Sequence, residues 1–185
     1  MLAGCSGSVD GVPVRVIDLL NEFDRAERRP VPGAEAPAFE IAGVARSAIV
    51  MPVPSRVTWS FPLPRRGLLR TSAALAPAAG GAIPTPARFR IGISDHRIYE
   101  GLSQKVVTER DGWVEFSVDL SAYAGWKWSL FYRPDRVTWN LVLAADAGGE
   151  GAATVVWAGP EIVTDAAAAR EYAARRQQMH AARSQ

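Results

Sequence analysis

The sequence predicts an all-β sandwich, and three observations carry that expectation. Short apolar runs alternate with polar residues at a period of two, and clusters of Pro, Gly and Asp interrupt them at the spacing of sandwich strands. The length, 185 residues, suits one domain around one core. Successive side chains of a strand point to opposite faces, so a period of two marks a segment with one face buried and one in water.

Candidate strands cover residues 39–41, 46–51, 56–63, 87–94, 104–107, 112–119, 126–132, 137–144 and 154–157. In the third of these, Val57, Trp59, Phe61 and Leu63 share one face while Thr58 and Ser60 take the other. Val114, Phe116 and Val118 likewise oppose Glu115 and Ser117. Pro62 and Pro64 donate no ladder hydrogen bond, so the third strand frays or lies at an edge by its end. Arg56-Val57-Thr58-Trp59-Ser60-Phe61-Pro62-Leu63 recurs as Arg136-Val137-Thr138-Trp139-Asn140-Leu141-Val142-Leu143, identical at five of the eight positions. The flanks do not match, so the echo reads as two strands meeting one packing demand rather than as a duplication.

Two segments depart from strand patterning. Val16, Leu19, Leu20, Phe23 and Ala26 fall at helical spacing, with Asp18 as a cap and Pro30 as a stop. A short N-terminal helix over 16–28 is therefore expected, packing Leu20 and Phe23 on the body. Residues 165–185 are rich in Ala with scattered Arg and Gln, a composition of strong helix propensity opened by Thr164 or Asp165. Tyr172 and Met179 are the only large apolar residues there, which predicts a mostly solvated helical tail or one that docks on a partner. Residues 31–37 read as a connector, and 68–86 as the longest weakly structured stretch. The organisation is thus a tether over 1–12, a sandwich with its leading short helix over 13–164, and a helical tail over 165–185.

With 48% hydrophobic and 22% charged residues the composition is that of a globular domain. The formal charge is +2, and Arg28-Arg29, Arg65-Arg66 and Arg175-Arg176 are scattered, so the dense basic stripe that nucleic acid requires is missing. No run of about 18 apolar residues exists to span a bilayer as a helix.

Cys5 is the only cysteine, which rules out an intrachain disulfide and a cysteine metal cage. Leu2-Ala3-Gly4-Cys5 resembles the bacterial lipobox, in which small residues precede a cysteine that then carries diacylglycerol; Ser6-Gly7-Ser8 follows as a flexible tether. The resemblance implies lipidation at Cys5, a membrane-anchored lipoprotein and a periplasmic or cell-surface location. Each buried methylene of the acyl chains contributes about 0.8 kcal/mol, enough for several chains to anchor a protein without a spanning helix.

Catalytic material is sparse. A nucleophile-base-orienter triad needs a placed histidine, and only His96, in a loop after a strand, and His180, in the tail, exist. Glu109, Asp111, Glu115 and Asp119 could supply a glycosidase carboxylate pair. Their surroundings favour structural work, with Glu109 and Asp111 flanking a hairpin turn at Gly112 and Asp119 in a corner. No phosphate loop or dinucleotide fingerprint is present.

The segment Trp113-Val114-Glu115-Phe116-Ser117-Val118-Asp119-Leu120-Ser121-Ala122-Tyr123-Ala124-Gly125 resembles a corner of galactose-binding-like jelly-roll domains, and Val156-Trp157-Ala158-Gly159-Pro160-Glu161-Ile162-Val163 is similar to their closing strand. Leu120 and Tyr123 would plug the sandwich end, and Gly125 would let the chain reverse. Over roughly residues 39–163 the resemblance implies a jelly-roll β-sandwich that serves as a carbohydrate-binding or other recognition module, with ligands at loops on one end or on a concave face. Some members hold a structural calcium, but no closely spaced carboxylates here can be assigned to one, and no cofactor is expected.

Aromatic side chains are the better functional candidates, because sugar rings stack their C–H faces on flat surfaces. By alternation Trp128, Leu130 and Tyr132 should face the core, as should Trp59 and Trp139. Phe131 points to the opposite face and Trp126 sits at the strand entrance. With Trp113 and Tyr99 near loops, Trp126 and Phe131 could mark a ligand platform, a protein interface or a patch buried under the terminal helix. The expected function is a non-catalytic, carbohydrate-binding-like lipoprotein with a glycan partner. The alternative is an accessory or structural subunit of an envelope complex with a protein partner. Hydrolase activity would require two carboxylates brought together in a cleft.

Overall fold

The period-two residues form two facing sheets. The computed structural model describes residues 11–30, 34–78, 83–95, 97–124, 138–149 and 151–183. Its strands are β1 (Val14–Asp18), β2 (Glu27–Arg29), β3 (Ala34–Ile41), β4 (Val44–Pro52), β5 (Ser55–Phe61), β6 (Leu68–Leu75), β7 (Ala87–Ser94), β8 (Tyr99–Val107), β9 (Val114–Asp119), β10 (Trp139–Ala147) and β11 (Thr154–Thr164). Helix α1 (Ser121–Ala124) follows β9, and α2 (Ala166–Arg183) follows β11.

The first sheet runs β3-β4-β11-β6-β9 with β1 also on β11, and the second runs β2-β5-β10-β7-β8. β4 pairs along Thr154 to Ala158 of β11, and β1 pairs along Glu161 to Thr164. β6 occupies the other edge of β11 on both sides of an irregularity between Ala158 and Glu161. β4 and β1 therefore share one edge of β11, and a gap lies where one gives way to the other.

The alternation read from sequence sets the core. Val57 and Trp59 of β5, Leu141 and Leu143 of β10, and Phe89, Ile91 and Ile93 of β7 point inward from the second sheet. Ile49, Met51, Leu69, Phe116, Val155 and Trp157 meet them from the first. Each such side chain contributes about 1.5–3 kcal/mol when fully buried. β5 and β10, which carry the described parts of the two echoing segments, are direct antiparallel neighbours, with Trp59 opposite Leu141 and Val57 opposite Leu143.

Several expectations are corrected. The N-terminal helix over 16–28 does not form: that stretch is β1, a single 3-10 turn at Phe23–Arg25, and β2. Leu19 and Phe23 are still buried, so the apolar spacing marks contact with the body while pairing to β11 and β5 sets the backbone. Asp18 acts at the turn, where its Oδ1 accepts the Leu20 and Asn21 N–H groups at 3.1 and 3.4 Å. The stretch taken as weakly structured contains β6, which lies between β11 and β9. The connector over 31–37 gives way to β3 from Ala34. Glu109–Asp111 is a 3-10 turn that carries the chain from β8 in one sheet to β9 in the other, not a hairpin.

The corner holds. Leu120 is fully buried, and the half-buried Tyr123 of α1 meets Trp139 edge-on with ring centroids 5.4 Å apart. Gly125 and the expected strand over 126–132 lie outside the described residues. Helix α2 starts at Asp165, whose Oδ1 accepts the Ala167 and Ala168 N–H groups at 2.9 and 3.0 Å. Arg66 pairs with Asp165 at 2.9 Å and Arg65 with Glu171 at 3.4 Å. Ala168 and Tyr172, four residues apart on one face, are buried against the sandwich.

Candidate functional site

The irregularity in β11 shapes the outer face of the first sheet. Gly159 takes a φ of 51°, a left-handed value that a side chain disfavours. The Thr71 hydroxyl donates to the Ala158 carbonyl at 3.0 Å, and the Leu19 N–H donates to Pro160 O at 3.0 Å. These bonds satisfy backbone groups that the broken ladder leaves over. Above them opens a groove of about 810 Å³, floored by β6 and β11 and walled by Arg46 of β4, Glu115 of β9 and the turn after β1.

Alternation brings three polar side chains together on that face. Ser72 and Glu115 are cross-strand partners. The Ser72 hydroxyl donates to Glu115 Oε2 at 2.8 Å, and Arg46 Nη1 donates to Glu115 Oε1 at 2.7 Å and to Ser72 Oγ. Charge-assisted bonds of this kind are stronger than neutral ones and hold the side chains in place. The Arg46 guanidinium also lies over the Trp113 ring, 5.3 Å from its centroid. The Trp113 indole N–H donates to Val44 O at 3.0 Å, and its side chain packs against the cluster of Ala48, Ala76, Val156 and Ala158. Trp113 is thus a half-buried, doubly held aromatic next to a polar groove.

Around that groove, Arg15, Arg46 and Arg70 face Asp18, Asp24, Glu115 and Glu161. Arg15 pairs with Asp18 at 3.1 Å and with Glu161 at 3.9 Å. Positive and negative groups nearly balance, so the groove offers donors and acceptors without a net field.

Tyr99 stands elsewhere. It opens β8 in the second sheet, half exposed, with its ring laid over Gly92 where a side chain would clash. Trp113 follows the other end of β8, so a nine-residue strand separates them, roughly 30 Å at the usual rise. The structure does not bring Tyr99 and Trp113 together. Trp126, Phe131, His96 and Cys5 lie outside the described residues, as does the His180 side chain.

Of the carboxylates weighed for hydrolysis, Asp111, Glu115 and Asp119 are each held by hydrogen bonds. Asp111 accepts the Thr108 N–H and hydroxyl at 2.6 and 2.7 Å, and the first of these bonds chiefly holds its carboxyl below the usual range. Asp119 accepts the Ser121 N–H at 2.8 Å. Glu115 and Asp119 lie four residues apart on β9, about 13 Å along the strand, beyond the span of about 5–9.5 Å that glycosidase carboxylates keep. Among the described residues no three His, Cys, Asp or Glu side chains converge as a metal site would require. No described helix is long and apolar enough to cross a membrane.

The sequence named Trp113 and Glu115 but missed Arg46 and Ser72 as site residues. Ser72 was hidden because β6 read as a loop. Arg46 carries no local signal, since its role depends on which strands become neighbours.

No protein-family model and no curated protein matches the sequence. Solved structures do. One is the CBM51 module from a Clostridium perfringens GH95 protein in complex with methyl-galactose, at 12% identity over 80% of this chain and 99% of that one, with a TM-score of 0.54. Another is TmCBM61 in complex with beta-1,4-galactotriose, at 6% identity over 82% and 99%, with a TM-score of 0.52. A third holds CBM51-2, in complex with GlcNAc, and INT domains from Clostridium perfringens ZmpB, at 10% identity over 75% of this chain, with a TM-score of 0.51. This chain spans only 29% of that one. The likeness shows the fold: a jelly-roll β-sandwich of the kind found in carbohydrate-binding modules.

Proposed function

We propose that this chain is a non-catalytic glycan-recognition module that works outside the cytoplasm, anchored through lipid on Cys5, and that the groove beside Trp113 receives the sugar. The observation that carries the reading is Trp113, an aromatic pinned by Val44 O and by Arg46, which itself walls a groove of nearly balanced charge. A sugar presents C–H faces to an aromatic ring and vicinal hydroxyls that both donate and accept. Arg46 donates, Glu115 accepts and Ser72 does both. The balance of charges disfavours a phosphate backbone, which needs a positive excess.

The solved structures with methyl-galactose and beta-1,4-galactotriose make galactosides the first class to try. Calorimetry with both, and with GlcNAc, tests the reading. The expected result is binding of at least one of them, weakened tenfold or more in Trp113→Ala and Arg46→Ala but unchanged in Tyr99→Ala. No binding to any of them, or a loss that follows Tyr99 instead, overturns it. For the anchor, mass spectrometry of protein expressed with its native upstream region should find a lipid-modified Cys5, and an unmodified thiol ends that part.

A second reading, an accessory subunit of an envelope complex, draws on the exposed Ala166, Ala167, Arg170, Ala173 and Ala174 along α2. Recovery of a stable protein partner from native membranes, with no glycan bound, would favour it.

A further inference from the structure

The outer face of the second sheet gathers arginines that lie far apart in sequence. Arg29 of β2 is the cross-strand partner of Arg56 of β5, Arg56 is the partner of Ala144 of β10, and Ala144 is the partner of Arg90 of β7. Such partners share a face, and Val57, Leu143 and Phe89 beside them point into the core, so the row points outward. Strands lie about 4.8 Å apart, which sets Arg29 one spacing from Arg56 and Arg90 two spacings from it, about 10 Å. The three side chains are 71%, 46% and 40% exposed. Arg88, two residues before Arg90, adds a fourth guanidinium to the same face, exposed and without an ion-pair partner among the described residues.

The row works against the fold. Like charges directly opposite on a sheet destabilise it, and Arg29 stands opposite Arg56. Glu27 serves both, at 2.8 Å from Arg29 and 3.7 Å from Arg56, and Asp146 pairs with Arg90. Two carboxylates therefore answer four guanidinium groups. The place between Arg56 and Arg90, where an acidic side chain would neutralise the row, holds Ala144. A local rule broken without compensation marks a functional surface. Guanidinium groups bind carboxylates in a bidentate fork, and a straight row across four strands fits an extended polyanion better than a single ion. Its uncharged neighbours carry hydroxyls and amides: Gln104 stands opposite Arg90, and on the same face the Ser60 hydroxyl bonds to Asn140. Such a border suits a hydroxyl-rich chain, whereas a nucleic-acid backbone would meet Glu27 and Asp146 in its path.

We propose that the outer face of the second sheet binds an acidic polysaccharide, whose carboxylates lie along Arg29, Arg56 and Arg90. None of these residues lines the groove beside Trp113, so this surface stands whether or not that groove receives a sugar.

Calorimetry on the full chain tests it with hexagalacturonate, set against its methyl ester, a single-stranded oligodeoxynucleotide and phosphatidylglycerol vesicles at equal anion concentration. The expected result is saturable binding of hexagalacturonate, at least tenfold weaker for each of the other three. Arg29→Gln and Arg56→Gln should each weaken it at least fivefold without lowering the urea midpoint, because removing one of two facing like charges relieves the sheet. Arg110→Gln, which removes a charge from the 3-10 turn before β9, should leave binding unchanged, as should Trp113→Ala. The proposal is overturned if hexagalacturonate does not bind, if its methyl ester matches it, or if the row variants bind as the parent does. It is equally overturned if Arg110→Gln costs as much as Arg56→Gln, which would reduce the effect to net charge, or if Trp113→Ala abolishes binding, which would put the ligand in the groove. Binding as tight to the oligodeoxynucleotide or the vesicles would make the face a nucleic-acid or membrane surface instead.

Discussion

Trp157 of β11 and Phe89 of β7 meet edge to face across the two sheets, with ring centroids 4.9 Å apart and planes at 77°. Both are buried, and Phe116 closes on the same indole at 5.6 Å. Phe89→Ala should therefore lower stability by about 3–5 kcal/mol. A double-mutant cycle with Phe89→Leu and Trp157→Leu should give a coupling of about 0.5–1.5 kcal/mol beyond area alone. Urea unfolding measures both, and additive effects would show the edge contact to be incidental.

Thr164 joins the last strand to the turn before β6. It is buried, and its hydroxyl donates to Arg65 O at 2.7 Å with Arg66 O at 3.1 Å. Thr164→Val keeps the shape and removes the donor to the Arg65 carbonyl. The expected loss is about 0.5–1.5 kcal/mol, seen as a lower urea midpoint with an unchanged slope.

Two glycines separate space from backbone clash. A side chain at Gly92 would first meet the far end of the half-exposed Tyr99 ring, which can swing away. At Gly148 a Cβ would come within 2.7 Å of the Pro86 carbonyl oxygen, which cannot move aside. Gly148→Ala should thus lower the melting temperature more than Gly92→Ala. In a Tyr99→Ala background, Gly92→Ala should become stabilising by about 0.5–1 kcal/mol.

Acid and base should each loosen α2, through groups whose pKa values are shifted in opposite directions. The Ala168 N–H foremost, with those of Ala167 and the Arg66 charge, holds the Asp165 carboxyl below its usual range. A group depressed in the folded state contributes stability above its unfolded pKa and loses it as pH falls through the folded value. The helix should accordingly fray in acid, below about pH 4. Asp165→Asn, which caps without ionising, should flatten that dependence in the far-ultraviolet dichroism. Tyr172 runs the other way: burial raises it to about 12, so its contribution is complete below about pH 10 and is lost as pH climbs through 12. Tyr172→Phe should remove that alkaline loss.

Much of the sandwich was legible because Trp59, Phe116 and their neighbours alternate cleanly, and burial of one face requires it. β6 was not, because Ser72, Ala73 and Ala74 are small and alanine is depleted in strands. Their reason is across the sheet, where Ala73 sits opposite Trp157 and leaves room for the indole. The N-terminal stretch misled for the opposite cause: its apolar spacing fits a helix, but Val14 to Asp18 find partners on β11, and such tertiary pairing overrides local preference. The groove was legible only at Trp113 and Glu115, since Arg46 and Ser72 become neighbours through strand order alone.

The shared edge of β11 also bears on how the chain folds. Val14 pairs with Thr164, nearly the whole sandwich apart in sequence. Until β11 is available, β3 with β4 and β6 with β9 are separate ribbons, and β1 has no partner in its sheet. Contacts of such high sequence separation make for slow assembly. During translation the early strands must wait with open edges, so a nascent chain halted before β11 should remain a client of chaperones, and its release should coincide with emergence of the last strand.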